Sequence, residues 1–205
     1  MTYLTITLAA LLVVVSALLF QSCKRVINEP AVNECIMTRV SVRAYTADKV
    51  SETQIEKMLR AGMAAPSAVN KQPWHFIVVT EQVQLDALAE VTPNAKMAAA
   101  APLAIVVCGD MSKTLEGEAR DFWIQDCSAA TQNILLEAHA LGLGAVWTGT
   151  WPALERCAAV AQVLDIPEGI VPFATIVIGH PAGENKPKDK WNPRNVSWEK
   201  YGVQK

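Results

Sequence analysis

Arg39-Val40-Ser41-Val42-Arg43 sets two guanidinium groups and a hydroxyl at alternate positions. In an extended segment those three side chains point to one side. Arginine forks grip phosphate oxygens through paired hydrogen bonds, so the trio is a candidate phosphate site; the competing reading is a solvated edge with two exposed arginines. A second group lies in Ala65-Pro66-Ser67-Ala68-Val69-Asn70-Lys71-Gln72-Pro73-Trp74, a loop stiffened by two prolines. Asn70 and Gln72 offer amides that both donate and accept, which suits a ring edge of alternating N–H and C=O. A turn bonded to its own backbone is the alternative. The third is Leu141-Gly142-Leu143-Gly144-Ala145-Val146-Trp147-Thr148-Gly149. Here glycine lets backbone amides approach a flat ligand, or simply packs a strand against a helix.

Periodicity supplies the elements that hold these groups. Ser51-Glu52-Thr53-Gln54 reads as a capping box opening a helix, with Ile55, Met58, Leu59 and Met63 on one face and an end before Pro66. His75–Thr80 is a strand, Gln82–Glu90 a short helix, Lys96–Ala101 another, and Leu103–Gly109 a buried strand. Between Arg120 and Leu143, Trp123, Cys127, Ala130, Ile134, Ala138 and Leu141 form a core-facing helical stripe. Small residues at Ser128, Ala129, Ala130 and Thr131 admit a second backbone, and Gly142 and Gly144 close the helix. Ala145–Trp147 is a brief strand, Leu154–Leu164 a helix after Pro152, and Phe173–Gly179 the last strand. The polar, Lys-rich stretch from Asn185 onward carries Trp191, Trp198 and Tyr201. The mixture of helices and strands fits α/β or α+β.

Composition narrows the classes. The chain has 205 residues, 51% hydrophobic and 19% charged, which is enough for one domain with a real core. A net charge of −2 offers no general attraction to nucleic acid. The five cysteines show no CxxC pair and no zinc-site spacing, so no metal is expected. Neither GxGxxG after a strand nor GxxxxGK[ST] is present, which argues against dinucleotide-binding and P-loop folds. Met1–Ser22 has no charged side chain and ends before Cys23-Lys24-Arg25. It reads as a signal peptide or membrane anchor. A lipoprotein-like signal would lipidate Cys23; an uncleaved anchor would leave a cytoplasmic domain. The resulting organisation is residues 1–22 as signal or anchor, 23–33 as tether and 34–205 as the functional domain.

Taken together, Arg39–Arg43, APSAVNKQPWHFIVV, QDCSAATQNILLEAHALGLGAVWTG and LDIPEGIVPFATIVIGHP resemble, in order and spacing, the nitroreductase-like FMN-dependent oxidoreductases. The resemblance spans roughly residue 34 to the C-terminus. It implies an α+β sandwich, a central and mainly antiparallel sheet of four or five strands flanked by helices. It also implies an intertwined homodimer with two FMN sites at the interface and a C-terminal segment reaching onto the partner. Position by position, Arg39, Ser41 and Arg43 match residues that hold the FMN phosphate and ring. Pro66, Ser67 and Asn70 match the loop against the flavin, with Asn70 at the pyrimidine edge. Trp147, Thr148 and Gly149 match a turn whose backbone lies near the isoalloxazine centre. Lys190 is the foremost late basic residue for the phosphate, with Lys188 and Arg194 as alternatives. The implied activity is ping-pong hydride transfer from NADH or NADPH through flavin N5 to a nitro-aromatic, quinone or similar acceptor, with no obligatory protein nucleophile. His75, His139 and His180 then need no catalytic role. The other reading is a membrane-tethered flavin or electron-relay protein with little NAD(P)H turnover.

Overall fold

The structure, a computed structural model, describes residues 29–204. The signal or anchor expected over residues 1–22, and Cys23 itself, lie outside the described residues. Among those described, no helix is long and apolar enough to cross a membrane. The chain divides at Cys35, and the sheet, its flanking helices and the tail all belong to the unit Cys35–Lys205. Helix α1 (Glu29–Thr38) begins inside the stretch expected to be a tether.

Four strands form one sheet in the order β1-β2-β4-β3, every neighbouring pair antiparallel. They are β1 (Trp74–Val79), β2 (Leu103–Asp110), β3 (Gly144–Gly149) and β4 (Ile170–Gly179). Strand β2 shows why the sheet is a middle layer. Leu103, Ile105 and Val107 join one core with Met58, Trp123, Cys127 and Ile134; Ala104, Val106 and Cys108 join another with Leu85, Leu88 and Val160. All six β2 side chains are fully buried, so an unbroken apolar run is what this strand requires. Helices α2 (Glu52–Met63) and α4 (Phe122–Ala140) cover the first face; α3 (Gln82–Val91) and α5 (Leu154–Val163) serve the second. This is the expected α+β sandwich.

The capping box forms as read: Ser51 Oγ accepts from Gln54 N–H, and Gln54 Oε1 accepts from Ser51 N–H at 3.0 Å. Met58 is buried and Ile55 and Leu59 pack beside it, but Met63, the last residue of α2, is exposed. The stretch read as a helix at Lys96–Ala101 is a 3-10 segment, Pro93–Ala100. The α2 backbone comes close to α4, as the small residues there led one to expect. Cys127, Ala130 and Thr131 are buried, and Asn133 Nδ2 donates to Ala61 O at 3.0 Å. Gly62 lies so close that an added Cβ would stand 2.9 Å from Ile134 Cγ1.

Candidate active site

Beyond α1 the backbone extends and lies against the edge of the sheet. Val42 N–H donates to Ala145 O at 3.1 Å, and Ser41 bridges Ala145 in parallel sense. Val42 turns inward, only 4% exposed. It fits because position 144 is glycine: a Cβ there would fall 2.7 Å from Val42 Cβ. With Val42 inward, alternation turns Ser41 and Arg43 outward, as the spacing predicted. Tyr45 pins the same arm, its Oη 2.6 Å from Val42 O and 2.9 Å from Val177 O. Burial raises the Tyr45 pKa, against a smaller opposing pull from Arg43, so the phenol stays a donor.

The tail returns along this arm. Thr46 N–H donates to His180 O at 2.9 Å and Ala182 N–H to Ala44 O at 3.0 Å. That antiparallel course brings Lys186, Lys188 and Lys190 beside residues of the first segment. Arg39, Ser41, Arg43 and the three lysines line one groove of about 600 Å³, with Trp191 and Asn185 at its wall. No carboxylate is among the described residues that line it. Arg194, named as an alternative, does not line it. Lys186 was missed, though the alternation Lys186-Pro187-Lys188-Asp189-Lys190 in an extended tail was a readable signal.

Strand β3 continues from this groove. Thr150 N–H donates to Phe173 O at 3.0 Å, and Thr148 pairs with Thr175, so the even positions face β4. The odd positions, Ala145, Trp147 and Gly149, then turn their backbone groups to the outer edge, where Ala145 O already meets Val42. The sequence pattern ended this strand at Trp147, and the resemblance implied a turn over Trp147–Gly149. The structure keeps all three in the strand, because β4 extends far enough to pair with them. The Thr148 hydroxyl is spent on Thr175 O at 2.7 Å, and the Trp147 ring packs edge-on against Phe173, centroids 5.7 Å apart. What these residues can offer a ligand is backbone: Trp147, and the N–H of Gly149, whose carbonyl already accepts from Arg156 Nη1 at 2.7 Å.

The loop after α2 is separate: none of Pro66, Ser67 or Asn70 lines the cationic groove. It is bonded to itself and to α4. Ser67 Oγ accepts from Gln72 N–H at 2.9 Å, Asn70 Oδ1 accepts from Gln72 Nε2 at 2.9 Å, and Asp126 Oδ1 accepts from Ala68 N–H at 2.9 Å. The Ser67 oxygen thus accepts a bond within the loop and keeps its O–H to donate. Asn70 keeps its Nδ2 donors for a ligand. Val69, Asn70 and Gln72 all have positive φ, 50°, 55° and 50°. For a β-branched residue such as Val69 this is a strained conformation, of the order of 1–3 kcal/mol, that persists only where the surroundings fix it. Nothing in the sequence signalled that strain, and Asp126 was not singled out.

Two buried cysteines and one histidine sit in structural surroundings. Burial pushes the Cys108 and Cys127 thiols up to about 12, so neither supplies a thiolate near neutrality. His139 Nε2 lies 2.8 Å from Thr38 Oγ1, a packing pair between helices. No group of metal-binding side chains occurs among the described residues.

A strained loop, a cationic groove and an open strand edge on a sandwich of this topology define a class, and comparison with known proteins identifies it. The model of the Nitroreductase family matches residues 36–93 and 86–180. A protein of Methanothermobacter thermautotrophicus, provisionally named an NADH dehydrogenase/NAD(P)H nitroreductase, is 45% identical over 85% of this chain and 90% of its own. A similarly named crystal structure from Parabacteroides distasonis has a TM-score of 0.79 and 42% identity, covering 83% of this chain and 99% of that one. A provisionally named nitroreductase of Desulfovibrio desulfuricans, solved in complex with FMN, has a TM-score of 0.72 and 33% identity, covering 83% and 97%. The chain belongs to the nitroreductase family, and is thereby an oxidoreductase of the FMN- and NAD(P)H-using class.

Proposed function

We propose that this chain carries FMN with its phosphate in the groove of Arg39, Ser41, Arg43 and Lys190, and reduces a small flat acceptor such as a nitro-aromatic or quinone at the expense of NADH or NADPH. The carrying observation is the convergence of those four side chains, drawn from opposite ends of the chain, on one groove with no carboxylate among its described lining. Such a set matches a doubly charged phosphate monoester. Lys186 and Lys188 add charge at the same place.

Bound FMN supplies the hydride relay at its N5. The protein's part is to hold, orient and polarise. Arg39 and Arg43 fix the phosphate end, while the Trp147 and Gly149 backbone groups meet the polar parts of the ring along the β3 edge. The amide of Asn70 donates from Nδ2 to the pyrimidine edge. Pro66 and Ser67 shape the loop that presents it. The loop stands outside the groove of its own chain, which favours a homodimer in which Asn70 of the partner subunit closes each site.

The test is FMN titration of the flavin-free protein against an Arg39→Ala/Arg43→Ala variant. Each charge-assisted pair is worth about 1.5–3 kcal/mol, so affinity should fall by about a hundred-fold or more. Parent-like FMN affinity in the double variant contradicts the assignment.

A further inference from the structure

We infer that Asp126 is a positioning residue for the flavin: its buried carboxylate holds the loop in the left-handed conformation that presents Asn70. The inference rests on the reading of Asn70 given above.

Asp126 stands on α4 among core residues, following Trp123 and preceding Cys127 and Ala130, and is only 6% exposed. A carboxylate buried in such a stripe is costly unless it is paired. Its hydrogen-bond partner among the described residues is the Ala68 N–H at 2.9 Å, the first residue of the 3-10 turn Ala68–Asn70. That turn leads straight into Val69 and Asn70, both left-handed, and Val69 is 81% exposed. Within one chain an exposed valine contributes little burial to keep its own backbone strained, so hydrogen bonds must restrain it. Asn70 N–H donates to Ser67 O and Lys71 N–H to Ala68 O, both at 3.0 Å, and Ser67 Oγ accepts from Gln72 N–H, but both ends of each of these bonds lie within the loop. The Asp126 bond is the one that joins the loop to the rigid helix. It fixes where the turn begins, and hence where the Asn70 amide, oriented by Gln72 Nε2, is delivered. Asp126 acts through Asn70 and needs no contact with the flavin.

The experiment measures how far Asn70→Ala moves the midpoint potential of the bound flavin in three backgrounds: parent, Asp126→Asn and Asp126→Ala. Asparagine retains a carbonyl acceptor for Ala68 N–H; alanine does not. Comparing the Asn70 effect within each background removes the direct effect of the lost charge. The expected result is a full Asn70 shift in the parent and in Asp126→Asn, reduced to less than about a third in Asp126→Ala, as coupled residues behave. In flavin-free protein, amide exchange of the peptide spanning residues 67–72 should speed up about ten-fold in Asp126→Ala, the loss of one hydrogen bond, and return to parent rates in Asp126→Asn. Should Asp126→Ala not fold, Ala68→Pro removes the donor instead. Ser67, at φ −140° and ψ 156°, already has the backbone that precedes proline. An Asn70 shift kept in full without the Asp126–Ala68 bond overturns the inference and leaves the Asn70 reading standing. No Asn70 shift in the parent overturns the Asn70 reading and the inference with it.

Discussion

Asn70 is bound on its carbonyl side by Gln72 Nε2, so what it can give a ligand is an N–H. A donor of this kind stabilises the more negative form of a ring more than the neutral one. Replacing Asn70 by alanine should therefore make the flavin midpoint potential more negative, by about 30 mV if the difference is about 1.4 kcal/mol for the two-electron couple. Spectroelectrochemistry of variant and parent checks this. An unchanged or more positive potential speaks against Asn70 as a ring ligand. If the amide merely closed the loop, the variant would melt earlier at an unchanged potential. On the proposed reading the arginines act as charge at the phosphate, so their loss should appear in affinity and leave the potential nearly alone.

At the scale of elements, the site depends on how closely the Arg39–Arg43 arm lies against β3. Gly144 sets that distance, since a Cβ would overlap Val42 Cβ and both its methyls at 2.7–2.8 Å. Gly144→Ala should push the arm outward, cost about 1–3 kcal/mol of stability and weaken FMN binding. Adding Val42→Gly, which removes that Cβ as well as both methyls, should recover much of the lost FMN affinity, read by FMN titration; failure of the second change to compensate would mean that the arm is not held there. The arm itself was legible in the sequence, because alternation of Arg39, Ser41 and Arg43 around apolar Val42 is a property of neighbouring residues. The α4 stripe and the β2 run were legible for the same reason. What was not legible depended on pairing at a distance. β3 runs on to Gly149 because β4 is there to bond it, and Ser67 turns to Gln72 because the loop is left-handed. Asp126 reads as one polar residue in a helix until the fold brings Ala68 to it.

For the whole molecule, the proposed reading makes the groove and the loop complementary halves of one site on different parts of one chain. The tail carries apolar rings in the open: Trp191 is 73% exposed and Tyr201 fully so. Such surface suits burial against a second copy, and an isologous pairing would give two equivalent sites. Light scattering of the flavin-loaded protein at micromolar concentration should report a dimer. A flavin-loaded monomer with full Asn70-dependent potential would show that one chain suffices.

The central claim, that this chain binds FMN and takes hydride from a nicotinamide onto it, is tested most directly by absorbance. Purified protein saturated with FMN is mixed anaerobically with NADH or NADPH, and the visible flavin bands are followed. The account predicts one flavin per chain, bleached by one or both nucleotides and restored when a quinone or nitro-aromatic is added. Flavin that binds but keeps its colour would favour an electron-relay protein, and a chain that binds no flavin would contradict the account altogether.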